Sequence, residues 1–123
     1  MAHLISLLTN TDARGNLTVI EKIFPFDIKR IFYIYGVDSS VRGKHRHHLT
    51  RQAAICIKGS CRVSNQSGKG LPVQEFILDH PSVCLMIEPE DFHWMDQFSP
   101  DAILMVLASE YYDPKDYIFE PYE

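Results

Sequence analysis

Apolar and polar residues alternate along this chain in short runs, and turn-forming residues separate the runs. A period of two in β-branched and aromatic residues is typical of strands, whose successive side chains point to opposite faces of a sheet. No segment of the first 110 residues repeats its apolar positions every 3.6 residues. The pattern predicts an all-β sandwich or barrel. The predicted strands cover residues 17–21, 28–35, 52–58, 61–63, 75–78, 83–87 and 103–107.

Two local signals refine this prediction. The pair Gly59-Ser60 separates two strand-like runs and favours a tight hairpin. Residues 111–117 have helical potential, because Asp113 is a possible N-cap and Pro114 suits the first helical position. The sequence therefore predicts one all-β domain over residues 1–123 with a short C-terminal helix.

The strand at residues 28–35 carries two tyrosines on one face. Tyr33 and Tyr35 share that face with Ile31, and the opposite face carries Arg30, Phe32 and Ile34. A buried tyrosine hydroxyl needs a hydrogen-bond partner, which a polar cavity supplies more readily than an aliphatic core. Cross-strand aromatic packing is the alternative interpretation.

Composition limits the functional classes. The chain is 46% apolar and 23% charged, and its net charge of −4 gives no general electrostatic basis for binding nucleic acid. No apolar run approaches the ~20 residues needed to span a bilayer. The odd number of cysteines and the short apolar run at residues 4–8, which lacks a basic flank, favour a cytoplasmic protein with reduced thiols.

The histidine-rich segment at residues 42–48 is the strongest chemical signal. On a strand, His45 and His47 project side by side, whereas Arg46 and His48 project the other way. Two imidazoles on one wall can bind a metal or move a proton. Both chemistries remain open at this point.

A His-x-His pair entering a strand of a small all-β chain resembles the first motif of the cupin superfamily. Gln52 stands where metal-binding cupins carry a glutamate ligand, and Gly59 matches the glycine that follows it. Pro89 and His93 match the second cupin motif. The resemblance implies a double-stranded β-helix (jelly-roll) barrel in which His45, His47 and His93 converge without a carboxylate.

Three neutral imidazoles can still hold zinc or another transition metal. However, Arg42, Arg46 and Arg51 lie close by in sequence, and cations beside a divalent ion are unfavourable. Arginines suit a phosphate better. We therefore favour a metal-free acid/base or binding site, with a metal-dependent cupin enzyme and a non-catalytic nucleotide-sugar-binding cupin as the alternatives.

A more specific resemblance runs nearly the whole length of the chain. The sequence is similar to the WxcM-like family of nucleotide-sugar 3,4-ketoisomerases, which are metal-independent cupins of bacterial surface-polysaccharide biosynthesis. The similar segments are DARGNLT (12–18), PFDIKRIFYIY (25–35), RGKHRH (42–47), GSCRV (59–63), FS (98–99) and LASEYYDPKDY (107–117).

The resemblance implies an isomerase that moves the ketone of dTDP-4-keto-6-deoxyglucose from carbon 4 to carbon 3, without a cofactor. A base removes the proton at carbon 3 to give an enediolate, which is reprotonated at carbon 4. Imidazole can accept and return a proton near neutrality. We assign His45 as the base and His47 as its partner, leaving open which of the two acts first.

The remaining site assignments concern the developing negative charge and the substrate. Candidate hydrogen-bond donors to that charge are His47, Tyr33, Tyr35 and Arg14. Arg14 and His93 are expected at the sugar end, where they influence the configuration at carbon 4 and favour the 3-amino-fucose route. Arg42 and Arg51 are expected to contact the diphosphate. By the same resemblance we expect a homodimer. From the net charge and the lack of a long apolar run we expect no nucleic-acid or membrane partner.

Overall fold

Two five-stranded antiparallel sheets pack against each other in the computed structural model, which describes residues 1–122. The strands are β1 (His3–Ser6), β2 (Leu8–Asp12), β3 (Gly15–Val19), β4 (Arg30–Tyr35), β5 (Arg42–His47), β6 (Gln52–Lys58), β7 (Cys61–Gln66), β8 (Gln74–Leu78), β9 (Val83–Ile87), β10 (Phe92–Asp96), β11 (Ile103–Ala108) and β12 (Tyr117–Ile118). The predicted all-β class is confirmed. None of the helices in the described residues is long and apolar enough to cross a membrane.

The first sheet has the order β1-β9-β6-β11-β4 and the second has the order β12-β5-β10-β7-β8. Strands β2 and β3 form a separate two-stranded hairpin. The main core lies between the two large sheets, because inward-facing residues from both contribute to one buried cluster. This cluster includes Ile34, Ala54, Leu85 and Leu104 from the first sheet and Val63, Leu78 and Met95 from the second.

The outer face of the first sheet carries a second apolar cluster. Ala53, Ile55, Cys84, Met86 and Leu107 are buried there, with the segment around Phe24 and Phe26 packed over them. Strands of this sheet are therefore apolar on both faces. This explains why their sequences read as nearly continuous hydrophobic runs.

The predicted hairpin at Gly59-Ser60 is wrong. Strand β6 pairs with β9 and β11 in the first sheet, whereas β7 pairs with β8 and β10 in the second. The chain turns a corner between the sheets here. The backbone N–H of Ser60 donates to the Ser99 hydroxyl at 2.9 Å, and the N–H of Ser99 donates to the Ser60 carbonyl at 2.8 Å, which fixes the corner to a neighbouring loop.

The predicted C-terminal helix shrinks to one 3-10 turn, Pro114–Asp116. Its start agrees with the sequence: Asp113 caps it by accepting a hydrogen bond from the N–H of Lys115, and Pro114 opens the turn. The turn ends because Tyr117 becomes extended and pairs with His47 of β5. A long-range strand pairing therefore overrides the local helical preference.

Replacing Gly59 tests the importance of this corner. Gly59 has a φ of +69°, and a Cβ there would clash with the Ser99 hydroxyl and lie 2.9 Å from the Cα of Ala102. Gly70 is a matched control, because its φ is +79° but no atom lies within 4 Å of an added Cβ. We expect Gly70→Ala to cost about 1 kcal/mol in unfolding free energy and Gly59→Ala a further ~1–3 kcal/mol. Urea denaturation measures both, and equal losses would contradict this account.

Candidate active site

Strands β5 and β10 bring the three histidines of the two motifs together. Antiparallel pairing sets His45 opposite His93, and the register shifts immediately after His93. Because alternate residues share a face, His47 lies beside His45. The ring centroid of His45 is 4.9 Å from that of His47 and 5.0 Å from that of His93, and the remaining pair is 6.1 Å apart.

The start of β5 has the backbone geometry that this close pairing requires. Gly43 has a φ of +90°, and a Cβ added there would lie 3.1 Å from the carbonyl oxygen of His93 and 3.2 Å from the Cα of Trp94. Lys44 also has a positive φ, at 65°. Gly43 thus permits the approach of β10 that places His93 against His45.

A tyrosine that the sequence analysis did not select closes one side of the histidine cluster. The ring of Tyr117, on β12, is 4.8 Å from the His45 ring and 4.7 Å from the His47 ring. The strand is held by Asp116, whose carboxylate accepts hydrogen bonds from the N–H of Leu49 at 2.7 Å and from the hydroxyl of Thr50. Tyr117 lies in the segment 107–117 that is similar to the ketoisomerase family. Because residues 111–117 were predicted as a helix, its pairing with β5 was not expected.

Burial and mutual repulsion keep the histidines uncharged. Loss of hydration on burial, with a smaller contribution from His93, lowers the pKa of His45 to about 4. Burial also lowers the pKa of His47 to about 3, and neighbouring His45 and His93 contribute. Burial lowers the pKa of His93 as well. All three imidazoles are therefore neutral at pH 7.

Hydrogen bonding defines the tautomer of His93. Its Nδ1 lies 3.1 Å from the carbonyl oxygen of Asp91, and a carbonyl can only accept. The neutral ring therefore carries its proton on Nδ1 and leaves Nε2 as an acceptor. By contrast, the buried Nε2 of His47 has no hydrogen-bond partner among residues 1–122.

A cavity of about 180 Å³ opens beside these rings. Most of its wall is aliphatic or aromatic, including Phe32, Ile34 and Val106. The polar groups of the wall are Arg42, His45, Gln52, His93 and Tyr117. Such an arrangement suits a ligand that presents both a sugar ring and a negative charge.

Two predicted arginines lie outside this cavity in the single chain. Arg51 pairs with Glu88, with 3.4 Å between Nε and the carboxylate oxygen, and its side chain is 43% exposed. Arg14 lies in the turn between β2 and β3, where it pairs with Asp12 at 2.6 Å and is 90% exposed. Of the four predicted binding residues, the structure brings together Arg42 and His93.

The placement of Tyr33 and Tyr35 in the cavity is wrong. Their side chains are 62% and 67% exposed and stack on each other with ring centroids 5.8 Å apart. They lie on the outer face of the first sheet, whereas Phe32 and Ile34 from the opposite face of β4 line the cavity. The alternation of side chains along β4 correctly separated the tyrosines from Phe32 and Ile34. Both faces of the strand are largely apolar, however, so the alternation could not tell which face points inward.

No group of three or more His, Cys, Asp or Glu side chains within residues 1–122 is arranged to hold a metal ion. The histidine rings contact one another and Tyr117 edge to face. The site as built is therefore a cluster of neutral imidazoles beside a mainly apolar cavity. Independence from metals remains a prediction.

This fold and site are those of a small cupin whose cavity wall carries a cluster of neutral histidines. The chain belongs to the FdtA family, described as WxcM-like, C-terminal, whose model matches residues 1–123. A curated relative from Aneurinibacillus thermoaerophilus, TDP-4-oxo-6-deoxy-alpha-D-glucose-3,4-oxoisomerase, is 46% identical over 110 residues, covering 87% of this chain and 78% of the relative.

Solved structures of a second relative agree. The 3,4-ketoisomerase QdtA from Thermoanaerobacterium thermosaccharolyticum, as a double mutant with TDP, matches with a TM-score of 0.91 and 43% identity over 97% of this chain and 87% of that one. A QdtA mutant with TDP-4-keto-6-deoxyglucose matches with a TM-score of 0.91 and 40% identity, at the same coverage. The predicted family, cupin fold and enzyme class are confirmed.

The buried histidines predict a pH-dependent stability. Unfolding returns His45 and His47 to an ordinary pKa of about 6.5, so between pH 6.5 and 4 the unfolded chain binds more protons than the folded one. The unfolding free energy should therefore fall as the pH falls, by up to about 1.4 kcal/mol per pH unit for each histidine. Urea denaturation between pH 7 and pH 5 should show a shallower fall in His47→Gln. The exposed neighbour provides the control, since His48→Gln should retain the wild-type slope, and an unchanged slope in His47→Gln would contradict the prediction.

Proposed function

We propose that this chain converts dTDP-4-keto-6-deoxyglucose into its 3-keto isomer, within one domain over residues 1–123. The product would enter biosynthesis of a 3-amino-3,6-dideoxyhexose for a surface polysaccharide. The supporting observation is the neutral imidazole of His45 on the wall of a cavity suited to a sugar ring. The relatives named for the same isomerisation support the choice of substrate.

The reaction requires only proton movement. The hydrogen at carbon 3 is acidic because it lies next to the carbon 4 ketone. Its removal breaks the C3–H bond and gives an enediolate. Proton return to carbon 4 forms a C4–H bond and leaves the ketone at carbon 3. Substrate and product are isomers, so the balance needs no oxidant or reductant.

The cavity geometry supports His45 as the first base. His45 lines the cavity, whereas His47 lies behind it and is only 3% exposed. A neutral imidazole can accept the proton directly. In this proposal His47 holds the His45 ring in place and assists the return of the proton.

Arg42 is the proposed diphosphate contact. It is exposed, lines the cavity and lies three residues from His45, so it can bind an anion while the sugar ring reaches the histidines. Arginine pairs well with phosphate oxygens. Arg51 is a weaker choice, since Glu88 already neutralises it.

We propose a homodimer formed through the first sheet. The outer face of that sheet exposes Ile31, Tyr33, Tyr35 and Ile57, an apolar patch typical of an interface. The β2–β3 hairpin makes its own small sheet and exposes Leu8 and Leu17. Exchange of this hairpin between subunits would bring Arg14 towards a partner's cavity.

Arg14 and His93 would then act together at the sugar end, which favours the fucose-type configuration at carbon 4. His93 lines the cavity of its own chain. The cytoplasm is the proposed compartment, because Cys56, Cys61 and Cys84 are buried free thiols. We propose no nucleic-acid or membrane partner and no cofactor.

Deuterium exchange tests the isomerase. In deuterated water the wild type should exchange hydrogen at carbon 3 of dTDP-4-keto-6-deoxyglucose, and NMR of the product should show the ketone at carbon 3. His45→Asn should lower exchange by at least ~10²-fold, because the positioned base is lost. His48→Asn, next to the site but exposed, should exchange normally.

The affinity for dTDP shows whether a loss of exchange reflects lost catalysis or lost folding. We expect His45→Asn to bind the nucleotide as the wild type does. Undiminished exchange in His45→Asn would overturn the assignment of the base. Stoichiometric metal in the purified protein, together with activity lost on chelation, would instead favour a metal-dependent cupin. Exchange at both carbons 3 and 5 would favour an epimerase.

Charge placed on the outer face tests the dimer. We expect Tyr33→Asp combined with Tyr35→Asp to give a monomer by light scattering, because two buried unpaired carboxylates are costly at an interface. Ile77 is the matched control, an exposed apolar residue of β8 in the other sheet. Ile77→Asp should remain dimeric, and a monomeric wild type would contradict the proposal.

A further inference from the structure

Gln52 is a buried polar residue of the cavity wall with no assigned function. It begins β6 and is 3% exposed, and its backbone pairs with Ile87 on one side and Ala108 on the other. Its side chain is on the inward face of β6, as is that of Ala54. The same cavity is lined by His45 and His93, which places the amide among the catalytic groups.

The amide of Gln52 makes no hydrogen bond to another side chain or to the backbone within residues 1–122. The two half-buried glutamines do: the amide of Gln66 donates to the carbonyl of Leu71 at 3.0 Å, and that of Gln74 donates to the carbonyl of Ala2. No atom of Gln52 is among the polar side-chain atoms of the described residues that are sealed off without a partner. Its amide therefore opens onto the cavity, where it is available to a ligand.

The proposed reaction needs such a donor. Negative charge develops on a sugar oxygen as the proton leaves carbon 3, and preorganised donors lower the barrier by meeting it. His45 is the proposed base, and the N–H of His93 is already taken by the carbonyl of Asp91. Tyr33, Tyr35 and Arg14 lie outside the cavity of their own chain. Gln52 is well placed to supply the missing hydrogen bond.

We propose that Gln52 is a catalytic residue whose side-chain amide donates a hydrogen bond to the sugar oxygen that becomes negative in the enediolate. This inference rests on the proposed isomerase. An amide suits the role because it donates at every pH and carries no charge. A carboxylate at the same position would repel the oxyanion and favour protonation of His45, which would remove the base.

The experiment compares Gln52→Met and Gln52→Glu with the wild type, using carbon 3 exchange and isomerisation of dTDP-4-keto-6-deoxyglucose. Methionine has a similar size but no donor. It should lower kcat by about 10²–10³-fold, as for loss of an oxyanion donor, with little change in KM or dTDP affinity. Tyr117→Phe removes the hydroxyl donor of the wall and serves as the comparison, with a smaller loss expected.

Gln52→Glu adds a readout that a structural role would not give. Only the protonated carboxyl can donate, so kcat relative to wild type should rise as the pH is lowered from 8 to 5. The other charged or titratable groups that face this position are His45, His93, Arg42 and Tyr117, all of which the wild-type profile shares.

A kcat within about threefold of wild type in Gln52→Met would overturn the proposal, as would a pH-independent ratio for Gln52→Glu. Unchanged dTDP binding shows that a variant is folded. If only one of the two variants folds, its own readout tests the proposal. A wild type that shows no exchange at all would overturn the isomerase proposal, and the role of Gln52 with it. If the wild type and both Gln52 variants are active, only the role of Gln52 is overturned and the isomerase proposal stands.

Discussion

Antiparallel pairing of β5 with β10 is the constraint on which the site depends. Its register sets His45 opposite His93, while the alternation of side chains along β5 adds His47. Gly43 allows the close approach of the two strands. The three histidines come from sequence positions up to 48 residues apart, and this one ladder gathers them on a single wall. A slip by one residue would turn His45 and His47 together to the opposite face of the sheet.

The environment of the three histidines keeps their imidazoles uncharged beside the cavity. The pKa of His45 is low in the empty cavity chiefly because the ring is removed from water. In the proposed reaction, a bound diphosphate would bring negative charge towards Arg42 and the histidines, and negative charge favours a protonated imidazole. Binding of such a substrate would therefore make His45 a stronger base. Since imidazole cations would repel one another at these distances, one proton at a time can be held by the cluster.

Local sequence patterns predicted most of the longer strands and the His45–His47 face, because a period of two depends only on the strand itself. They did not predict β1, β2, β10 or β12. They failed where a distant partner decides the outcome. Tyr33 and Tyr35 were separated correctly from Phe32, but the inward direction is set by the second sheet. Likewise, the tail has a real helix cap, yet pairing with β5 ends the helix at Tyr117. Arg14 lies in the turn of the β2–β3 hairpin, which pairs with neither large sheet. Its position relative to the cavity therefore cannot be read from the local sequence.

The attachment of β12 has a consequence for access to the site. Only two residue pairs join this strand to β5, and the side chain of Asp116 carries much of the attachment through Leu49 and Thr50. The N–H of His48 also donates to the carbonyl of Asp116, and the hydroxyl of Tyr122 donates to the carbonyl of Glu90. Asp116 lies outside the cavity, yet it holds the strand whose Tyr117 ring covers His45 and His47. A change at that carboxylate would therefore open the histidines to water without touching them.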